Sequence, residues 1–225
     1  MTGEAAARWR AVRAEVDDEC RTLGREPGDV TLVVVTKFHP VEMIEELWDA
    51  GARDFGESRH QDAVLKADAL AERELTWHFV GQVQSNKARA IAGYADVIHS
   101  LDRDSVVDAL ATAPRRVSGF IELNLTDDPG RGGVNSADEM LRLAERISET
   151  DTIDLLGVMA VAPLEVEPRI AFERVETLSQ VLRQAHPNAH LISAGMSADW
   201  KQALAAGATH LRIGTSITGN RPLPR

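Results

Sequence analysis

From Val30 onward the sequence alternates eight short runs of β-forming, mostly apolar residues with seven helical stretches, and an alternation of that kind leaves few folds open. The runs are Val30–Thr36, Ala52–Phe55, Thr76–Val80, Asp96–His99, Val117–Asn124, Leu155–Val161, Ala189–Ser193 and His210–Ile213. Between them lie Val41–Ala50, His60–Leu70, Asn86–Ile91, Ser105–Thr112, Ala137–Glu149, Ile170–Ala185 and Ala198–Ala205, each with helix-forming residues and an apolar face. A helix between two strands returns the chain to its starting edge, so such strands lie parallel. Eight units in about 200 residues are near the lower size of a closed (β/α)8 barrel, the expected α/β fold. An open doubly wound sheet is the competing architecture. It is disfavoured because no glycine-rich G-x-G-x-x-G turn follows the first run.

Ahead of the alternation, Ala6, Trp9, Val12, Val16, Cys20 and Leu23 recur every three or four residues, and Gly24 is a plausible stop. That predicts a helix within residues 1–26 packed on the barrel, with residues 1–225 forming one domain. Cys20 lies on the apolar stripe and reads as a small buried residue; a single cysteine cannot form an intrachain disulfide, which suits a reducing compartment.

Acidic residues number 35 against 25 basic, a net charge of −10 that repels phosphate backbones, so no nucleic-acid partner is expected. The longest apolar stretch, Leu155–Leu164, is too short to cross a bilayer, and no apolar segment follows the charges at the N-terminus. The expectation is a cytoplasmic protein without a membrane partner, and a monomer. His39, His60, His78, His99, His186, His190 and His210 offer no metal-ligand spacing; His78 and His210 are expected as satisfied polar groups inside the barrel.

In barrels of this type the chemistry sits at the carboxyl ends of the strands. Lys37 directly follows Leu32-Val-Val-Val-Thr36 and shares the parity of Val33 and Val35. On an inward face its amine is desolvated, its pKa falls, and it can attack a carbonyl; otherwise it is a surface lysine opening a loop. Two turns fall where such barrels bind phosphate: Gly195-Met-Ser197 after the seventh run and Gly214-Thr-Ser216 after the eighth. Ser197 either caps the next helix or faces an anion. Arg212 shares the parity of Gly214 and should point into the barrel, where it needs an acid such as Glu122 or a ligand. An imine-forming lysine beside a phosphate site describes a phosphosugar aldolase or a pyridoxal 5′-phosphate (PLP) protein, and spacing alone leaves both open.

Six ordered segments narrow the choice: Val34-Val-Thr-Lys37, Phe55-Gly-Glu57, Trp77-His-Phe-Val-Gly81 with Gln84-Ser-Asn-Lys87, Gly157-Val-Met-Ala160, Gly195-Met-Ser197 and Leu211-Arg-Ile-Gly-Thr215. Over roughly Val30 to Gly219 the chain resembles the pyridoxal phosphate homeostasis proteins, the YggS/PROSC family. The resemblance implies a single barrel like the PLP-binding domain of alanine racemase. Lys37 would hold PLP as a Schiff base, Ser197, Gly214 and Thr215 would hold its phosphate, and Arg212 would approach the ring nitrogen. Ser58, His78, Asn86, Met159 and Met196, at or beside the strand ends, complete the candidate cofactor-binding set. Three positions depart from the family pattern: Ser58 in place of asparagine, Arg131 in place of a lysine, and Thr218 in place of phenylalanine. Ser58 could weaken a hydrogen bond near the cofactor; Arg131 keeps the charge without a titratable amine.

An arginine opposite the ring nitrogen keeps that nitrogen unprotonated and weakens the cofactor as an electron sink. The sequence holds one tyrosine, Tyr94, placed after a helix and away from the strand ends, so the second base of a racemase is not in evidence. The expected function is therefore PLP and amino-acid homeostasis with little turnover, small amino acids being the expected further ligands. A slow PLP enzyme, racemase- or deaminase-like, is the alternative.

Overall fold

The computed structural model describes residues 3–126, 128 and 130–220; the expectations for residues 1–2 and 221–225 lie outside it. The strands are β1 (Thr31–Val35), β2 (Asp54–Glu57), β3 (Thr76–Phe79), β4 (Val97–Leu101), β5 (Val117–Leu123), β6 (Ile153–Ala160), β7 (Leu191–Ser193) and β8 (His210–Ile213). They are hydrogen-bonded in sequence order into a closed barrel, and β1 meets β8 in parallel with Val33 opposite Arg212. This is a (β/α)8 TIM barrel with an added N-terminal helix, and the open sheet is excluded by the β1–β8 pairing.

The helices are α1 (Glu4–Thr22), α2 (Val41–Asp49), α3 (His60–Ala69), α4 (Ser85–Ile91), α5 (Asp104–Leu110), α6 (Ala137–Ser148), α7 (Pro168–Ala185), α8 (Trp200–Ala205) and α9 (Thr215–Thr218). The boundaries of these strands and of the seven helices between them lie within two residues of the sequence expectation. The second strand is shifted by two at both ends, running through Gly56 and Glu57 rather than ending at Phe55. Tertiary pairing overrides the weak strand propensity of glycine and glutamate there, since Gly56 and Glu57 pair with His78 and Phe79 of β3.

Alternate strand residues divide the core in two. Leu32, Val34, Phe55, Trp77, Ile98, Ile121, Leu211 and Ile213 face the helices and join the main apolar layer. The barrel lumen holds a separate, smaller apolar cluster of Val97, Phe120 and Met159, and otherwise carries polar side chains. Helix α1 spans the seam beside β8: Arg8 Nε donates to Ile217 O at 2.6 Å, and Ala6 N donates to Glu46 Oε1 at 2.8 Å. Cys20 is fully buried on this helix, and burial raises its thiol pKa. No described helix is long and apolar enough to cross a membrane.

Candidate functional site

At the carboxyl ends of the strands lies a cavity of about 420 Å³, lined among others by Val35, Lys37, Ser58, Met196, Ser197, Arg212, Gly214 and Thr215. The fold thus gathers seven of the ten candidate residues, drawn from four separate loops and one strand, around one space. The other three are elsewhere. Asn86 is exposed on α4, Met159 sits in the apolar cluster of the lumen, and His78 is buried below the cavity in hydrogen bonds to two other side chains. A cleft of similar size beside Arg116 and His186, about 470 Å³, brings together no comparable lysine, hydroxyls and buried arginine.

Lys37 is held by the geometry around it rather than by direct contacts. His39 N–H donates to Thr36 O at 3.0 Å, closing a tight turn, and Phe38 within it takes a left-handed φ of 70°. Such a conformation costs a residue with a Cβ about 1–3 kcal/mol and persists only where the surroundings hold it. What holds it is buried beneath. Lys66 Nζ donates to Thr36 O at 3.0 Å and to Glu57 Oε1 at 2.5 Å, and Thr36 Oγ1 donates to Glu57 Oε1 at 2.7 Å. The inward parity of Lys37 led to the expectation of a desolvated amine. In the structure the side chain is exposed, because the barrel mouth is open above it.

Ser197 faces the cavity and not the helix start. The capping position of α8 belongs to Asp199, whose Oδ1 accepts from Met196 N at 2.6 Å. The Ser197 Oγ instead lies 3.4 Å from both Thr215 Oγ1 and Ser216 N, so two hydroxyls and a backbone donor converge across the two loops. Gly195 permits this approach. It has φ 92°, and a Cβ there would lie 2.8 Å from Ala203 Cβ. At Gly214 a Cβ would meet only Val35, at 3.7 Å, so the space above it belongs to the cavity. Donors at long mutual distances around free space suit an anion that bonds all of them at once.

Arg212 is buried and reaches the cavity floor, but its partner is not the acid expected from sequence. Its Nη1 donates to Ser193 Oγ at 2.5 Å and its Nη2 to Ala160 O at 2.9 Å. Burial lowers its pKa to about 10, which leaves it a cation at neutral pH. Among the described residues Glu122, at the end of β5, has no ion pair, and its Oε2 is buried without a hydrogen-bond partner. Burial and then Asp102 push its carboxyl up to about 7, against Arg212, Arg131 and Arg103. The folded protein thus holds this proton more tightly than the unfolded chain. Its contribution to stability is full below the ordinary carboxyl value of 4.5 and is lost as pH rises to about 7. Glu122→Gln should accordingly shrink the fall in urea midpoint between about pH 5 and about pH 8; an unchanged fall would place this carboxyl in water.

Sequence reasoning gave Lys66 no role and quoted Glu57 only within the Phe55-Gly-Glu57 segment, since the two lie nine residues apart with no motif to join them. Helix α4 is short, and the Tyr94 ring stacks on His60 at 5.8 Å beside the carboxyl end of β2. Burial and then Glu57 raise the phenol's pKa, and the residue is absent from the cavity lining.

The sequence matches the family described as alanine racemase, N-terminal domain, over residues 12–222. A pyridoxal phosphate homeostasis protein of Corynebacterium glutamicum is 37% identical, covering 94% of this chain and 100% of that one. PipY of Synechococcus elongatus, solved with PLP bound, superposes with a TM-score of 0.83 at 31% identity, covering 96% of this chain and 100% of that one. An alanine racemase of Bacillus anthracis shares the fold (TM-score 0.68, 16% identity), with 95% of this chain matching 57% of that one.

Proposed function

Because the chain belongs to the alanine racemase N-terminal domain family, we propose that its cavity binds PLP and that the protein serves intracellular PLP and amino-acid homeostasis with little turnover. The observation that carries this reading is the convergence of Lys37, the Ser197 and Thr215 hydroxyls and the Arg212 guanidinium on one cavity of suitable size. Lys37 presents the amine for covalent attachment. Ser197, Thr215 and the turn at Gly214 take the phosphate, and Arg212 donates toward the ring nitrogen. When bound, the cofactor supplies an aldehyde and an electron-accepting ring.

Low turnover is favoured by what surrounds the cavity. A cationic donor facing the ring nitrogen opposes its protonation, and Tyr94 stays out of the cavity. Small amino acids are the proposed second ligands, entering the open mouth beside Lys37; the protein acts as a monomer in the cytoplasm. One observation favours the second reading, a slow PLP enzyme: the carboxyl of Glu122, half-protonated near neutral pH, lies outside the cavity lining but close enough to Arg212 on the cavity floor to feel its charge. Exchange of the α-proton of serine in deuterated water that is lost in Glu122→Gln would support it, and exchange independent of Glu122 would remove it.

The direct test is borohydride reduction of the PLP-loaded protein followed by peptide mapping. A single adduct on Lys37 is the expected result. Label spread over surface lysines, or none, would overturn the assignment and leave only the barrel. An aldolase-like use of Lys37 without PLP predicts, in contrast, trapping of a sugar-phosphate carbonyl by the same reagent.

A further inference from the structure

The lumen beneath the cavity contains a continuous line of hydrogen-bonded side chains running from one mouth of the barrel to the other. Asp54 stands at the amino end of β2, with its side chain 29% exposed. Its Oδ1 is 3.0 Å from His78 Nε2. His78 Nδ1 is 2.9 Å from His99 Nε2, and His99 Nδ1 is 2.8 Å from Ser193 Oγ. Ser193 Oγ in turn receives Arg212 Nη1 at 2.5 Å. Five residues from five different strands are thus joined end to end, and His78, His99, Ser193 and Arg212 are all buried.

The two ends decide which way every proton points. A guanidinium can only donate, so Arg212 donates to Ser193. The single hydroxyl proton of Ser193 must then go to His99 Nδ1, its remaining partner. That leaves His99 carrying its proton on Nε2, which donates to His78 Nδ1. His78 therefore also carries its proton on Nε2 and donates to the Asp54 carboxylate, which can only accept. Burial above all, with the Arg212 cation nearby, holds His99 well below the usual imidazole range, so it is neutral. The alternative, a doubly protonated His78, reverses His99 and leaves the buried Ser193 hydroxyl proton with no acceptor among the described residues; an orphan of that kind is costly.

We infer that Asp54 is a positioning residue for the cavity at the opposite mouth: through His78, His99 and Ser193 it sets a one-way line of donors that locks Arg212 in place as a donor to whatever lies above it. The acceptor at the far end polarises each bond in the same sense, and bonds aligned head to tail strengthen one another. The part of this inference that concerns the cofactor rests on the proposed PLP site; the proton order in the lumen does not.

Other titratable groups facing the line are few. His210 on β8 packs near His78, His99 and Phe120, and burial lowers its pKa to about 3, so it is neutral. Glu122 on β5 lies toward the mouth near Arg212. On the inward face β1 contributes Val33, beside Arg212, and β6 contributes Met159, beside Ser193.

Two measurements test the line. In the PLP-free protein, nitrogen-15 chemical shifts of the imidazoles near neutral pH should show both His78 and His99 protonated on Nε2 only. A doubly protonated His78, or a proton on Nδ1 of either ring, would overturn the inference whether or not PLP binds. In the PLP-loaded protein, Asp54→Leu and, separately, Ser193→Ala should each move the pH midpoint of the bound-PLP absorbance by about one unit. They should do so without removing the borohydride adduct on Lys37. Midpoints that stay in place in both variants would cut the connection between Asp54 and the cavity. Absence of the Lys37 adduct in the parent protein would instead count against the PLP reading while leaving the proton order standing or falling on the shifts.

Discussion

Lys66→Met is expected to lower the unfolding free energy by about 3–5 kcal/mol, the cost of leaving a buried carboxylate without its cation. Glu57 is 1% exposed and its Oε2 already lacks a partner among the described residues. Losing Lys66 removes the one ion pair of Glu57 among the described residues, and the bond to Thr36 O. The same change loosens the turn that carries Lys37, so covalent attachment of PLP should slow as well. Replacing both members, Glu57→Leu with Lys66→Met, should recover much of the stability, because paired apolar side chains carry no desolvation cost. It should not restore the attachment rate, since Thr36 O keeps its bond from His39 N–H but still lacks the one from Lys66. Urea unfolding of the three proteins reads the stability effects, and the rate at which the bound-PLP absorbance appears reads the attachment. A loss under about 1 kcal/mol in Lys66→Met would mean that water reaches the pair.

Ser197→Ala combined with Thr215→Val is expected to weaken PLP binding by at least about 100-fold. Each hydroxyl donates to a dianion, and hydrogen bonds to charged groups contribute about 1.5–3 kcal/mol. Both side chains stand at the open cavity and support none of the core, so thermal stability should hardly change. The comparison with pyridoxal, which lacks the phosphate, makes the test specific. Its affinity should be similar for the parent and the double variant, while PLP alone loses its advantage. Equal losses for the two ligands would show that these hydroxyls shape the cavity instead of holding the phosphate.

Much of this architecture was legible in the residues. The β-branched run from Leu32 to Val35 and its seven successors mark strands because they suit a pleated, buried surface, and the apolar faces between them mark helices. The barrel followed from counting those units. Lys37, Ser197, Arg212, Gly214 and Thr215 were placed by strand-end position, which the fold converts into proximity. Parity alone misjudged depth: it put Lys37 inward but could not tell that the lumen ends below it. His78 and Met159 entered the cofactor set from their places in the third and sixth runs and lie outside the cavity lining, although His78 met the expectation of a satisfied polar group inside the barrel.

What the sequence determined by itself is everything that depends on local period and order: strand, helix, their alternation, and which residue ends each strand. The tertiary structure alone decided which polar groups meet. Glu57 with Lys66, and Asp54 with His78, His99, Ser193 and Arg212, become partners only when the sheet closes and eight strands turn one face onto a common axis. Hydrogen bonds act over about 3 Å, whereas these partners are separated by up to 94 residues of chain, so no local pattern records them.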